Sequence, residues 1–455
     1  MKRVIYKERG HMTHEQFIGK YASLGKEKQH HMLLESGRGG NYSIVGMHPL
    51  KRYESTGKGV RIIEGEREFF SDLDPLQYIE QERQAMHIES ADVDLPFKGG
   101  FLGFVGYDYA RRYMDIGEVA STEVHIPDVV FYLFEDYAIF NHTTNEVTWL
   151  TFKDDEHLKR WKELWLDARE YEQKMRSNKQ SLEIVAGMSE DIFCEGVAHI
   201  QQLIENNRVE QVNLTVLQKA KSDIPALHMY LVLRQINPSP YMAFIQHEQF
   251  QVVSGSPELL LKKRGTQIET RPIGGTRPRG MTPEEDAAYI QDLKNARKDL
   301  EEHDMLVQLE VKDFKKVCVP NTVEVNESEE IEKYSHVMHL VSNVRGRLKD
   351  DVTLQELVEA VFPGGSITGD PKLPTMRAIE RLEPTKRNLY TGSIGWIGFD
   401  GDLEWNIVIR TALVEAGTYY VQAGAGITSD SVAKEEYAES LMKAEALFEA
   451  LRLTE

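Results

Sequence analysis

Gly424-Ala-Gly-Ile-Thr-Ser-Asp-Ser-Val-Ala-Lys-Glu-Glu-Tyr-Ala-Glu-Ser-Leu-Met-Lys443 lies near the end of the chain. Its Gly-Ala-Gly start reads as a turn, because glycine lets backbone N–H groups come close to a bound anion. Ser431 is a suitable N-cap, and the helix formers after it predict a helix. On that helix Glu436 and Glu439 are three apart and Lys443 follows four later, so all three share a face. The segment offers a carboxylate-binding backbone, two metal-capable carboxylates and one ammonium. A solvated helix with one i,i+4 ion pair fits the same residues.

A chain of 455 residues exceeds one ordinary core. The formal net charge of −19 argues against nucleic acid, whose phosphates need a basic face. Cys194 and Cys318 are the two cysteines and share no metal-like spacing. They suit a reducing compartment and read as small buried apolar residues. The charged N-terminus does not resemble a secretion signal, and no apolar run is long enough to span a bilayer. The expectation is a soluble, cytoplasmic protein.

Alternation predicts strands around residues 28–45 with a Gly-rich turn, at 61–70, 99–107, 127–140 and 146–152. A charged helix is expected over 155–175, and residues 176–189 read as a linker. That linker divides the chain into an N-terminal region, 1–175, and a second domain, 189–455. The second domain opens with a helix over 190–206. Strands follow at 211–218, 242–246, 250–253 and 268–271, then a helix at 286–309 running into a short strand. Further strands are expected at 393–398, 403–413 and 419–424. Adjacent pairs of strands point to an α+β fold with mixed or antiparallel sheets, not a doubly wound one.

A second carboxylate pair, Asp299 and Glu302, precedes His303. Two such pairs facing each other suit a hard cation such as Mg²⁺. Without a cation, two carboxylates ~4 Å apart repel by about 4 kcal/mol at an effective dielectric near 20. Spacing leaves surface exposure of these residues equally open. Arg410, inside an apolar strand-like run, needs an anionic partner if buried. Glu258, before Leu-Leu-Leu, gains proton affinity if buried, as a general acid requires; a structural ion pair is the alternative. His339 sits in an apolar setting that usually holds a core histidine.

Together these segments resemble the chorismate-utilising enzyme family. They are Gln211-Val-Asn-Leu, Asn237-Pro-Ser-Pro-Tyr-Met, Gly255-Ser-Pro-Glu, Pro272-Ile-Gly-Gly-Thr, Glu302-His303, and Val337-Met-His-Leu-Val-Ser. Phe362-Pro-Gly-Gly-Ser-Ile-Thr-Gly-Asp-Pro-Lys, Tyr390-Thr-Gly-Ser-Ile-Gly, Ile409-Arg-Thr and the 424–443 stretch complete the order. Leu33-Leu-Glu-Ser and the Gly99 strand extend the likeness to the N-terminal region of the amine-forming members. The resemblance implies a complex sandwich of two large sheets with helices outside, as in anthranilate synthase component I. It implies Mg²⁺ held by Glu302, Glu436 and Glu439, with Asp299 beside them. Gly424, Ala425, Gly426, Thr276 and Lys443 would hold the ring carboxylate of chorismate. Tyr390 and Arg410 would take the enolpyruvyl carboxylate, with Ser366 also in the site. Glu258 would protonate the leaving hydroxyl near His339. Gln211 stands where water-adding members carry a lysine base, which disfavours hydrolysis.

Ser366-Ile-Thr-Gly, Gly392-Ser-Ile-Gly and Trp405-Asn-Ile-Val-Ile-Arg-Thr look like the branch that forms 4-amino-4-deoxychorismate, for 4-aminobenzoate and folate. The anthranilate-forming branch and a catalytically silent chorismate-binding homologue are the alternatives. One form of the favoured branch carries a nucleophilic lysine where this chain has Gly274, so ammonia is expected to attack directly. Neither cysteine lies in a Gly-x-Cys-x-Gly elbow, so a glutamine amidotransferase partner is expected to supply the ammonia. Ser36 with Pro240, Tyr241 and Met242 resembles a tryptophan pocket of relatives. The chain departs from the family pattern at Val307-Gln-Leu-Glu-Val-Lys-Asp, at Asp370 in place of Ala, and at Asn207-Arg-Val-Glu.

Overall fold

A computed structural model describes residues 3–26, 28–37, 41–86, 88–89, 95–333 and 337–455. The architecture rests on two unusually long strands, Tyr42–Ser55 and Val129–Asn141, paired antiparallel along their length. Their register shifts between Pro49 and Lys51, and the preceding His48 adopts φ 59°. Such a bulge bends a ribbon. The bend sends the two halves of the ribbon into different sheets.

In the first sheet, residues 44–47 pair with His31–Glu35, and residues 136–141 pair with Glu146–Thr151. From His31–Glu35 the order continues through Tyr241–Gln246, Gln251–Ser256, Thr411–Glu415, Thr418–Ile427 and Gln211–Lys221. In the second, residues 52–55 pair with Val60–Glu64, and residues 129–133 pair with Gly100–Val105. From Gly100–Val105 that sheet runs through Ser393–Gly398, Leu403–Asn406, Leu259–Arg264 and Gln267–Arg271 to Val337–Arg347. Every one of these pairings is antiparallel, and the fold is α+β as the strand spacing predicts. The pairings of 33↔244 and 101↔397 join strands from both halves of the chain.

The sheets face each other through one apolar layer, with Met32, Ile44 and Ile245 from one and Leu102, Phe104 and Trp396 from the other. Helices cover the outer faces. Phe17, Trp165, Val232 and Phe448 come from four helices against the first sheet. Ile79, Phe314 and Val358 come from three against the second. No helix of the described residues is long and apolar enough to cross a membrane. Cys194 and Cys318 are free thiols, and Cys318 is buried.

Several expectations change. The Gly-Ala-Gly of 424–426 is no turn: it lies inside the strand Thr418–Ile427, paired with residues 213–215. The following helix is Ala433–Leu453 with Val432 at its N-cap; Ser431 instead accepts from Thr428 N–H and donates to Glu436. The helix expected at 286–309 is two, Pro283–Asn295 and Arg297–Val317, and the second replaces the short strand. Its buried stripe of 303, 306, 307, 310, 314 and 317 has helical, not strand, periodicity. Arg410 stands outside strands, at φ 51° between Leu403–Asn406 and Thr411–Glu415. Helix Ala226–Ile236 carried no signal, because it is apolar nearly all round. The Gly-rich turn expected between residues 37 and 41 falls outside the described residues.

At the bend, Asp136 is fully buried and accepts from His48 Nδ1 at 2.7 Å and from His157 Nε2 at 3.0 Å. Burial pushes its carboxyl up, but the bonds from His48, His157 and Thr151 outweigh this and hold it below the ordinary value. A depressed folded-state value stabilises above the unfolded value near 3.8 and is lost as pH falls through the folded one. Asp136→Asn should cost about 1–3 kcal/mol near neutral pH. Urea titrations from pH 7 down to pH 3 should show the stability gap between wild type and variant closing.

Candidate active site

The strand Ile273–Pro278 and the adjacent strand Val337–Arg347 pair Thr276 with His339, and Thr276 Oγ1 lies 3.0 Å from His339 Nδ1. Burial lowers the proton affinity of His339, and Arg410 lowers it further. Arg410 donates from Nη1 to the carbonyl of Lys443 at 2.9 Å. Its left-handed backbone, costing about 1–3 kcal/mol in a non-glycine residue, is braced by Gly255 N–H donating to Arg410 C=O at 2.9 Å. Burial destabilises its charge, which Tyr390 and Glu439 partly restore. Burial pushes the Tyr390 phenol up to about 12, so it stays a hydrogen-bond donor at neutral pH.

Lys443 bridges two elements: its Nζ donates to Gly424 C=O at 3.0 Å and pairs with Glu439 at 2.7 Å. Opposite stands Glu302, one turn into helix Arg297–Val317. Burial raises its proton affinity; Lys443 and Lys298 oppose that, and Asp299 and Glu439 add to it. The two helices therefore bring Glu302 and Glu439 within electrostatic reach. Lys443 partly neutralises both, and among the described residues the group of three ligand-bearing side chains within 4.8 Å of one another is Glu135, Asp136 and His157, not Glu302, Glu436 and Glu439. Asp299 pairs with Arg277 at 2.8 Å, and Glu436 accepts from Ser431 at 2.8 Å, so each is already engaged.

Glu258 occupies the link between strands Gln251–Ser256 and Leu259–Arg264 and is buried. Ser366 Oγ donates to its Oε1 at 3.2 Å. Burial lifts the carboxyl to about 7, against smaller opposing effects from Ser366 and Ile273 N–H. That is the proton affinity a general acid needs near neutrality. Gln211 is buried with its amide against the glycine strand: a Cβ on Gly426 would lie 1.9 Å from Gln211 Nε2. Ser36 donates to Pro240 C=O at 3.1 Å. With Tyr241 and Met242 they line a separate cavity of ≈ 700 Å³ that also reaches Pro257, next to Glu258.

Two features explain the departures in sequence. Lys312 Nζ lies 3.1 Å from Asp370, so the two atypical residues are partners. Gly274 packs on His303, whose Nε2 lies 2.6 Å from Ser342 Oγ; a Cβ at 274 would fall 2.6 Å from His303 Cβ. No lysine fits there unless His303 moves.

Sequence reasoning missed Arg387, which is buried and fully bonded. It pairs with Glu383 at 2.7 Å and donates to Ile367 C=O at 2.8 Å and Asn213 C=O at 2.7 Å. It thereby ties the segments carrying Ser366, Gln211 and Tyr390. The i,i+4 spacing of Glu383 and Arg387 was the available signal. Glu310, also missed, stands on the apolar stripe of its helix.

The family described as chorismate binding enzyme matches residues 29–449. Aminodeoxychorismate synthase component 1 of Bacillus subtilis is 40% identical over 449 residues, covering 97% of this chain and 96% of that one. Anthranilate synthase component 1 of Thermus thermophilus is 34% identical over 450 residues, covering 96% and 95%. Among solved structures, anthranilate synthase component I from Streptococcus pneumoniae superposes with a TM-score of 0.80 at 30% identity, covering 90% of this chain and 92% of that one.

Gly274→Ala should destabilise the protein by about 1–3 kcal/mol through overpacking on His303, read as a lower denaturation midpoint. A double-mutant cycle on Lys312 and Asp370 should give a coupling of about 0.2–1 kcal/mol, since the lysine is largely solvated.

Proposed function

This chain belongs to the chorismate binding enzyme family, and from that premise we propose that it aminates chorismate to 4-amino-4-deoxychorismate. The observation that carries this reading is the 40% identity to the Bacillus subtilis aminodeoxychorismate synthase component 1, extending over nearly the whole of both chains. We assign it as an amidotransferase-coupled enzyme using ammonia from a glutaminase subunit. The anthranilate reading rests on more distant full-length relatives.

In this reading Tyr390 and Arg410 hold the enolpyruvyl carboxylate of chorismate. Arg410 suits the task because burial has removed its water and left its charge only partly compensated. Thr276, Lys443 and the backbone of Gly424, Ala425 and Gly426 hold the ring carboxylate, with Lys443 turning from Glu439 toward substrate. Glu302, Glu436 and Glu439 hold Mg²⁺, which supplies charge neutralisation at that carboxylate; Asp299 joins only by releasing Arg277. Glu258 gives its proton to the departing 4-hydroxyl, with His339 beside it kept neutral by burial. Gln211 has no basic atom and cannot activate water, so ammonia is the nucleophile. The contact of Gly274 with His303 supports direct attack without a lysine adduct. The cavity at Ser36 and Pro240 is assigned to tryptophan, bound close enough to Pro257 to influence Glu258. The protein is taken to work in the cytoplasm, where chorismate and ammonia are available.

A product assay tests the reading. Pure protein with chorismate, Mg²⁺ and an ammonium salt should give aminodeoxychorismate, converted to 4-aminobenzoate only after a lyase is added. Anthranilate and pyruvate without lyase would move the chain to the other branch, and no product would favour a silent homologue. Glu258→Gln should lower kcat by about 10²–10⁴-fold with KM for chorismate little changed. At fixed free ammonia, wild-type activity should fall as pH rises above about 7, where Glu258 loses its proton.

A further inference from the structure

The bend of the long ribbon gathers His48, Glu135, Asp136 and His157, none of which the reaction above uses. His48 stands at the bulge with φ 59°, opposite Glu135 between the pairings 47↔136 and 49↔134. His157 lies in the first turn of helix Asp155–Asp167, where Asp154 Oδ1 accepts from its backbone N–H at 2.7 Å. The two imidazoles converge on one carboxylate. His48 Nδ1 lies 2.7 Å from Asp136 Oδ2, and His157 Nε2 lies 3.1 Å from that same oxygen and 3.0 Å from Oδ1. Glu135 is the neighbour of Asp136 in the strand. Its carboxylate still brings an oxygen to within 4.8 Å of the ligand atoms of Asp136 and His157.

The frame around these groups is fixed, while the ligand atoms keep an opening. Asp136 is fully buried. Trp161, one turn beyond His157, meets the His48 ring edge-on at 5.6 Å and donates from Nε1 to Tyr137 C=O at 3.1 Å, which ties the helix to the strand. The side chains of His48 and His157 are 33% and 19% exposed, so an ion can enter from solvent. Glu135 pairs with Lys153 at 3.2 Å, and because that lysine is half exposed the carboxylate is released at little cost. Donors about 2.0–2.1 Å from a tetrahedral zinc lie about 3.3–3.4 Å apart. The nitrogen–oxygen separations of 2.7–3.1 Å therefore open by about 0.2–0.7 Å to admit an ion. Small rotations of the two imidazoles provide this. A neutral imidazole frees its bonded nitrogen by carrying its proton on the other one.

We infer that His48, Asp136 and His157 form a binding site for a divalent transition metal, zinc above all, with Glu135 as the fourth ligand once it leaves Lys153. The donor set decides the metal. Two imidazoles with two carboxylates suit zinc, cobalt or nickel, whereas magnesium takes oxygen ligands and keeps its waters. In chemistry the site is thus distinct from the acids Glu302, Glu436 and Glu439. Bound metal cross-links the bend of the ribbon to the helix that carries Trp161 and Trp165 onto the first sheet. Its effect is on the stability of that sheet, because the unfolded chain does not hold these residues together.

The test uses the full, untagged chain after treatment with a chelator, and it reads binding without turnover, so the identity of the product does not affect it. Cobalt(II) is the probe of geometry and zinc the probe of affinity. Cobalt should give the intense visible bands of a four-coordinate site with nitrogen ligands, unmoved by excess magnesium. The bands should persist when the other candidate metal site is removed by combining Glu302→Gln with Glu439→Gln. In His48→Asn and in His157→Asn, zinc affinity by calorimetry should fall at least about 100-fold, the upper end of what loss of an outer-shell partner costs. The urea midpoint of wild type should rise with free zinc, and that of His157→Asn should stay where it is. X-ray absorption of the zinc-loaded wild type should show imidazole scattering, and it decides the matter if the histidine variants do not fold. No zinc binding, zinc held through oxygen alone, cobalt bands lost with Glu302 and Glu439, or unchanged affinity in both histidine variants overturns the proposal.

Discussion

The bent ribbon of Tyr42–Ser55 and Val129–Asn141 is the constraint on which the rest of the structure depends. A pair of strands serves two sheets only if it turns between them, and the bulge at His48–Lys51 makes that turn. Beside the turn the buried Asp136 accepts from the imidazoles of His48 and His157, tying the bulge to the partner strand and to helix Asp155–Asp167. Once the ribbon bends, the sheets face each other over Met32, Phe104 and Trp396. Their outer faces are then left for helices.

The candidate site follows from that layout. Its groups come from strand ends and from the helices Arg297–Val317 and Ala433–Leu453, which lie far apart in sequence. Burial does most of the chemical tuning. It raises Glu258 to about 7 and lowers the proton affinity of Arg410 and of His339. For Glu258 and His339 burial favours the neutral form, whereas for Arg410 it penalises a charge that an anionic partner would offset. Backbone bracing holds the costly groups in place, as Gly255 does for Arg410 and Arg387 does for the segments around Ser366 and Tyr390. The atypical Lys312 and Asp370 neutralise each other at the edge of this arrangement.

Much of this was legible in the sequence, because local patterns report local structure. Alternating residues marked most strands, and the motifs from Gln211 to Lys443 identified the family and nominated candidate site residues. Local rules failed where tertiary packing overrode them. Gly424-Ala-Gly reads as a turn, yet Gln211–Lys221 pairs with it and pulls it into a strand. Residues 286–309 showed helical periodicity, but the break at Ala296 and the continuation to Val317 depend on how the helix covers the second sheet. Helix Ala226–Ile236 is apolar on most sides, since it is covered on most sides, and so shows no face.

By itself, the sequence determined the α+β class, the family, the inventory of acids and cations, and the absence of a basic group at 211 and 274. These are properties of residue type and order, which need no coordinates. Only the tertiary structure decided that Glu302 feels Glu439 across two helices, that Lys312 answers Asp370, and that Arg387 ties together the segments carrying Ser366, Gln211 and Tyr390. The physical reason is that proton affinity and ion pairing depend on distance and on exclusion of water. Both are set by elements brought together from opposite ends of the chain.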